Sequence, residues 1–449
     1  MAGAAHEQWS SRFGFLMAAV GFAVGLGNIW RFPYVTGENG GAAFVMVYLA
    51  CAFAIGVPIL MAEILIGRRG RMSPPGSMRE VALAEGKSRH WQWAGGLNLS
   101  AAFMIEVVYC VVAGWVLLYL FKALVTGFAG VDASTAELQF SNALSDVPGL
   151  MLWTVLGLAI TGTIVSAGVQ KGIERTVRVL MPTLFGLLVC LAIYNVFAGG
   201  FEAAVDYLFT ADFSKINGAM ILAAIGQAFF SIGVAMAGMM TFGAYLPKDI
   251  SISQSVLIII VADTLVALVA GLVIFPAVFN YGLDPAGGAG LIFQTLPVAF
   301  AQMPGGHIVS VTFFLLLSVA AITSMVGLIE PVVSWLEERR GFARPASTVM
   351  VVGAIAVTSV VGVLSYNVWA GVTVFGFDLN TALDFVPNQI MLPLGGLLIA
   401  LFVGWFVSKA SAQQELAMGN EALFEVWYFL IRYLVPVAVF VILVMGVMG

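Results

Sequence analysis

Charge is what this chain lacks. Lys, Arg, Asp and Glu together make up 10% of its 449 residues, while 61% are hydrophobic, a balance with too few solvated side chains to cover a soluble globule. Cysteine and histidine are scarce as well. Cys51, Cys110 and Cys190 all fall inside apolar stretches, which excludes a disulfide framework and a thiolate metal cluster and leaves three buried thiols. His6, His90 and His307 are scattered among loops and segment ends, so imidazoles supply no metal site. No basic patch of the kind that binds nucleic acid is visible. The formal net charge of -5 says little about partners, because the charges are sorted by loop rather than spread over one surface.

What is there instead is a series of long apolar runs, with a mean hydropathy of +1.01. A membrane span needs about 20 predominantly apolar residues. On that ruler eleven segments emerge, at 13–36, 41–67, 92–127, 150–168, 173–198, 217–246, 253–281, 307–336, 346–365, 383–408 and 424–447. The first is too long and too polar for a cleaved signal peptide. Orientation follows from the cations. Placing the N-terminus inside gathers Arg12, the Arg68 to Arg89 cluster, Lys171, Arg175, Arg178, Lys248, Arg339, Arg340, Arg344 and Lys409 on the cytoplasmic side, with Lys122 and Lys215 outside. An odd number of spans then puts Gly449 on the outer face. The expectation is a multi-pass cell-membrane protein, in a bacterium the inner membrane, with no soluble domain appended. The outer connection 282–306 contains an apolar stretch too short to span and is expected to form a vestibule wall or lid.

Two segments carry residues that a stable span avoids. The first is Gly21-Phe-Ala-Val-Gly-Leu-Gly-Asn-Ile-Trp-Arg-Phe-Pro33; glycine is a poor helix former, and an arginine at membrane depth costs about 2.5 to 3.5 kcal/mol. Gly21-x-x-x-Gly25 alone reads as a close helix-packing motif, but Asn28, Arg31 and Pro33 turn the reading to a broken helix. The Gly25-x-Gly27 pair is no dinucleotide fingerprint, because the third glycine and the preceding strand are missing. Segment six holds Gln227-Ala-Phe-Phe-Ser-Ile-Gly-Val-Ala-Met-Ala-Gly238. Two broken segments five apart predict an all-α integral membrane protein of about 11 transmembrane helices, built as a 5+5 inverted repeat with helices 1 and 6 broken. The repeats are 13–198 and 217–408, with 424–447 additional, in one transporter domain over 1–449. Intramembrane acids are functional candidates by default. Asp263 is read as an ion ligand, against the plainer reading of a packing carboxylate held by hydroxyls. Glu63 and Glu330 are expected to brace unwound backbone, and Glu106 has no assigned role. Gly172 and Pro182 mark a start of segment five that could unwind, or an ordinary kinked helix.

Ala23-Val-Gly-Leu-Gly-Asn-Ile-Trp-Arg-Phe-Pro33, Glu38-Asn-Gly-Gly41, Lys171-Gly-Ile-Glu-Arg175, Gly226-Gln227 and Phe229-Phe230-Ser231, in this order, resemble the neurotransmitter:sodium symporters, whose fold is named after the bacterial leucine transporter. The resemblance covers segments one to ten. It implies two sodium sites: one from Ala23, Asn28, Ser231 and Asp263, the other from Gly21, Val24, Ala320, Thr323 and Ser324. By themselves Thr323 and Ser324 would read as hydroxyls bonding back to their own helix. The resemblance further places a substrate carboxylate against the amides of Leu26 and Gly27 and the hydroxyl of Tyr109, at the positive end of a half-helix. The substrate's amino group falls near Ala23, Phe230 and Ser231. Monoamine-carrying relatives have an aspartate where this chain has Gly25, so here the substrate must bring its own carboxylate. Ile105, Tyr109, Phe230, Gly233, Met236, Ser324 and Leu328 would line an apolar side-chain pocket.

Chloride-dependent relatives use a Tyr, Gln, Ser and second Ser cluster. This chain has Tyr48, Gln227 and Ser231, but Ala267 replaces the last serine, and the nearby Asp263 is expected to supply the missing negative charge, so that chloride is not required. Arg31, Asp384 and Phe230 match the outer gate. At the inner gate Trp9 is kept, His6 aligns with the usual arginine and Glu338 with its acid, and Arg12 is an alternative to His6. The implied function is import of a neutral, hydrophobic or aromatic L-amino acid with sodium, by alternating access. The alternatives are a small non-protein amino acid or osmolyte such as taurine, or a sensor that binds without transporting. An enzyme is not expected, since no nucleophile–base or metal constellation is seen. Beyond substrate, sodium and lipid, the sequence names no partner and leaves the oligomeric state open.

Overall fold

The computed structural model describes residues 7–285, 290–374 and 376–448. Among them, nine helices are long and apolar enough to cross a membrane, and a bent pair makes a tenth. Span 1 is that pair, Arg12–Ala23 and Gly27–Glu38, with a 47° bend. Spans 2 to 5 are Ala42–Gly70, Arg89–Val125, Val147–Ser166 and Val169–Ala198. Span 6 is split into Gly218–Ile232 and Gly238–Ala244. Spans 7 to 11 are Ile252–Asn280, Gly306–Arg340, Arg344–Ser365, Leu379–Phe406 and Glu421–Gly446. Counting the split span 6, the eleven expected segments are all present, and the two expected to break do so. The remaining regular structure is short: connecting helices and one hairpin of two-residue strands that pairs Thr373 with Asp378.

Helix starts follow the local chemistry. Asn217 caps the first half of span 6 by accepting the Met220 amide at 2.9 Å, and Ser11 caps span 1 by accepting the Gly14 amide at 3.0 Å, each satisfying a donor that the first turn leaves free. Glycine then lets spans approach. A Cβ at Gly67 would lie 1.9 Å from the Met240 carbonyl oxygen, so spans 2 and 6 touch backbone to backbone. Spans 1, 3, 6 and 8 surround the centre, where both breaks lie.

Span 5 is continuous in this conformation. Its start is wound rather than open: Val169–Glu174 forms a π-helical turn after Gly168 (φ +93°), and Pro182 sits inside the continuing helix Arg175–Ala198. The described part of the connection 282–306 does not line the vestibule itself but packs behind the rings that do. Its helical stretch Leu291–Gln302 buries Phe293, which stacks on Phe140 at 5.4 Å and meets the edges of Trp115 and Trp30 at 5.7 and 5.9 Å.

Candidate functional site

Span 1 stops at Ala23, and Val24 turns extended (φ -75°, ψ 93°). The freed groups find local partners. The Gly25 amide donates to Asn28 Oδ1 at 3.2 Å, and the Leu26 amide donates to the Tyr109 hydroxyl at 3.1 Å. Span 6 breaks more sharply, through Gly233, Ala235 and Ala237 in the left-handed region (φ 72°, 61° and 62°). A residue with a Cβ pays about 1 to 2 kcal/mol there. Glu63 offsets the cost at Ala235 by accepting its amide at 2.5 Å. As expected, this acid braces unwound backbone.

Between the breaks lies a buried polar knot. The Asn28 side-chain amide donates to Ser231 Oγ at 2.9 Å, to Asp263 Oδ1 at 2.7 Å and to the Asp263 carbonyl at 3.0 Å. Ser231 and Tyr48 donate to Asp263 Oδ2 at 2.9 and 3.3 Å. All four side chains are fully shielded from solvent. On the other side of span 1, Ser324 Oγ donates to the Phe22 carbonyl at 3.2 Å. Thr323 returns its hydroxyl to Val319 and Ala320 at 3.0 and 3.1 Å. Thr323 still faces the break: its Cβ would stand 3.3 Å from a Cβ built on Gly21. Ala23 and Val24 flank the gap. Among the described residues no three His, Cys, Asp or Glu side chains cluster for a metal. A cation here would meet hydroxyl, amide and carbonyl oxygens with one carboxylate, a donor set for a hard ion rather than a transition metal.

The expected pocket residues come together. Ile105, Tyr109, Phe230, Gly233, Met236, Ser324 and Leu328 line one chamber with Ala23, Gly25 and Gly27, and Phe22 joins them. Phe22 was missed, although its place next to the first break was a signal. Gly25 is closely confined: a Cβ there would lie 2.3 Å from Ser324 Oγ and 2.9 Å from the Tyr109 oxygen. Ile105, Tyr109 and Phe230 also line a vestibule of about 410 Å³ with Trp30, Trp115, Tyr366, Arg31 and Asp384. Arg31 lies over the Phe230 ring at 4.6 Å. Asp384 accepts from the Asn388 amide at 2.7 Å. Among the described residues Arg31 and Asp384 form no ion pair, so the vestibule stands open above Phe230.

The face that carries the N-terminus is shut. Trp9 is buried, donating its indole N–H to the Phe242 carbonyl at 3.0 Å. Ser10 and Ser11 donate to Glu174 at the start of span 5. The expected gate at His6 lies outside the described residues. Glu338 accepts the Ser73 amide at 2.6 Å, and Arg12 reaches Gln254 at 3.2 Å. Several cations join elements on this face, among them Arg68, which reaches the Ile250 carbonyl and Glu415, and Arg344, paired with Glu330 in the span 8 interior, with Glu337 at 3.2 Å and with Glu7 at 3.8 Å. Glu330 thus holds an arginine and the Tyr245 hydroxyl, rather than the unwound backbone expected of it. The sequence marks Arg344 only as one of the cytoplasmic cations; nothing local to its sequence reveals its partners. Glu106 is buried with both oxygens unpartnered, and nothing in the structure explains it.

Comparison with known proteins agrees with this geometry. The chain matches the sodium:neurotransmitter symporter family over residues 6–134 and 133–449. It is 33% identical over 442 residues to the sodium-dependent transporter YhdH of Bacillus subtilis (strain 168), covering 97% of this chain and 96% of that one. A sodium-dependent transporter of Haemophilus influenzae is 31% identical over 450 residues, with 98% and 97% covered. The crystal structure of MhsT in complex with L-phenylalanine superposes with a TM-score of 0.91 at 39% identity, covering 98% of this chain and 99% of that one. The chain, with its two broken spans and open vestibule, therefore belongs to the sodium:neurotransmitter symporter family and is a multi-pass, sodium-dependent symporter.

Proposed function

We propose that this symporter imports a neutral L-amino acid with a hydrophobic or aromatic side chain, coupled to sodium by alternating access. The observation that carries the reading is the confined space at Gly25, beside the freed Leu26 amide and the Tyr109 hydroxyl. This corner offers hydrogen-bond donors and a half-helix N-terminus but no acidic side chain, so it complements a carboxylate that the substrate itself brings. The side chain would then lie among Ile105, Phe230, Gly233, Met236 and Leu328. No charged group lines that chamber, and burying an unpaired charge there would be costly. The related MhsT has been crystallised with L-phenylalanine, which fits the same chemistry.

One sodium ion would be held by Asn28, Ser231, Asp263 and the Ala23 carbonyl, the other by Thr323, Ser324 and the carbonyls of Gly21, Val24 and Ala320. The Asn28, Ser231 and Asp263 oxygens are already gathered and desolvated, so a cation there would replace hydrogen bonds rather than assemble a new site. Because Asp263 supplies a fixed negative charge, uptake would need no chloride. Arg31, Phe230 and Asp384 would close the vestibule over bound substrate. Release would then require Trp9 and the Arg344 network to part. The N-terminus would face the cytoplasm and the C-terminus the outside of a bacterial inner membrane, with repeats 13–198 and 217–408 providing the two-fold framework.

Binding of tritiated amino acids to the purified protein, in sodium and in potassium, tests this. Phenylalanine, leucine or tryptophan should bind in sodium and be displaced by one another. If no amino acid binds better in sodium than in potassium, the reading is wrong.

A further inference from the structure

Spans 10 and 11 meet at a place that has no part in the transport site. Both are π-helical there, over Phe402–Phe406 and Leu430–Leu434. Such turns loosen the regular backbone ladder and recur at functional sites. The two distortions are matched: a Cβ on Gly404 would come within 2.8 Å of the Arg432 Cα, and the Trp405 indole donates to the Arg432 carbonyl at 2.9 Å. Arg432 projects from an otherwise apolar stretch into a group of rings. Its guanidinium carbon lies 4.5 Å from the Trp405 centroid, 5.5 Å from Tyr433 and 5.7 Å from Tyr428.

Cation–π contact alone does not neutralise this charge. Arg432 donates to the Tyr428 hydroxyl at 3.1 Å, while its Nε is buried without a hydrogen-bond partner. Among the described residues it forms no ion pair; the neighbouring Lys409 is already matched to Glu425 at 2.5 Å. Trp405, 52% exposed, and Tyr433, 46% exposed, face outward from the bundle. Trp405 is also the second-last residue of span 10, near the level where aromatic side chains meet lipid headgroups, and the long Arg432 side chain reaches toward it from deeper in span 11.

We propose that Arg432, framed by Trp405, Tyr428 and Tyr433, is a binding site for the phosphate of an anionic phospholipid of the surrounding bilayer. A guanidinium fork matches phosphate oxygens in two-point contact through its terminal nitrogens. The headgroup of phosphatidylglycerol carries a negative charge with no internal counter-charge, whereas the phosphate of phosphatidylcholine is balanced by its own choline. The lone cation therefore selects the anionic lipid.

Native mass spectrometry of the detergent-purified full chain, titrated with phosphatidylglycerol or phosphatidylcholine, reads the site directly. The wild type should retain phosphatidylglycerol over phosphatidylcholine by about tenfold, the scale of one charge-assisted contact. Arg432→Gln should abolish that preference, and Arg432→Lys should recover part of it. Equal retention of the two lipids by the wild type, an unchanged preference in Arg432→Gln, or displacement of the lipid by millimolar inorganic phosphate would overturn the proposal. So would a loss of dimer mass in Arg432→Gln with lipid adducts unchanged, which would make this face a contact between copies. A second measurement leaves Arg432 intact. Brominated phosphatidylglycerol in vesicles should quench the fluorescence that Trp405→Phe removes, more strongly than brominated phosphatidylcholine does. Equal quenching by both lipids refutes the site even if Arg432→Gln does not fold.

Discussion

Gly25→Ala is the smallest change that interrogates the substrate corner. The added methyl would sit 2.3 Å from Ser324 Oγ and 2.9 Å from the Tyr109 oxygen, both well inside van der Waals contact. Ser324 must rotate away, giving up its 3.2 Å hydrogen bond to the Phe22 carbonyl, and Tyr109 must withdraw from the Leu26 amide at 3.1 Å. Each lost bond is worth about 0.5 to 1.5 kcal/mol, and the residual overpacking adds about 1 to 3 kcal/mol. Part of that strain relaxes in the unliganded protein. Even about 2 kcal/mol remaining at the site lowers affinity roughly 30-fold. The assay is a scintiillation proximity measurement of tritiated phenylalanine at saturating sodium, with the thermal midpoint of the variant recorded alongside. A folded Gly25→Ala protein that binds within about twofold of wild type, where a loss of about 2 kcal/mol is expected, would refute the reasoning. It would show that the substrate carboxylate does not use this corner.

Three further perturbations follow from the same geometry. Asp263→Asn turns a carboxylate into an amide facing the Asn28 donor. Half-maximal uptake should then need about 10- to 100-fold more sodium, the scale of a hydrogen bond to charge, and chloride should stimulate it; uptake with unchanged sodium dependence would remove Asp263 from the ion site. Gly67→Ala drives a methyl onto the Met240 carbonyl oxygen and the Ala244 amide, neither of which can rotate away. Thermal unfolding in detergent should report a loss of about 3 kcal/mol, and an unshifted midpoint would contradict the close contact of spans 2 and 6. Arg344→Gln leaves the buried Glu330 carboxylate without its cation, a loss of about 3 to 5 kcal/mol for a broken buried pair. Hydrogen exchange should accelerate at residues 7–12 and 169–174, and unchanged protection there would mean that Arg344 does not hold this face shut.

Much of this arrangement was legible because a membrane span is defined by composition. Apolar length located the spans, and Gly25, Asn28, Gly233 and Ser231 stood out because polar or flexible residues are costly at that depth. The pocket was legible for a different reason: Ile105, Tyr109, Phe230, Met236 and Leu328 match a family pattern, and no property of an isolated apolar residue would have chosen them. The π-helical turns were invisible, since spans that are apolar on every side carry no periodic stripe from which an inserted residue could be read. The partners of Arg344 were hidden for a related reason. Its neighbours Arg339 and Arg340 lie in the same cytoplasmic run, and only the folded chain separates one that reaches Glu330 from two that remain exposed.

The brace on span 6 bears on how the chain is made. Its two halves, of 15 and 7 residues, are each shorter than the roughly 20 residues a bilayer crossing requires. A nascent span 6 that reached lipid already broken would expose free peptide groups to hydrocarbon, each costing several kcal/mol. Leaving the translocon as one unbroken helix would avoid that cost. The break would then be stabilised once span 2 presents Glu63 to the Ala235 amide. The part of the chamber that span 6 supplies, at Phe230, Gly233 and Met236, would thus form late, and chains lacking the Glu63 carboxylate would insert and reach full length with that part unformed.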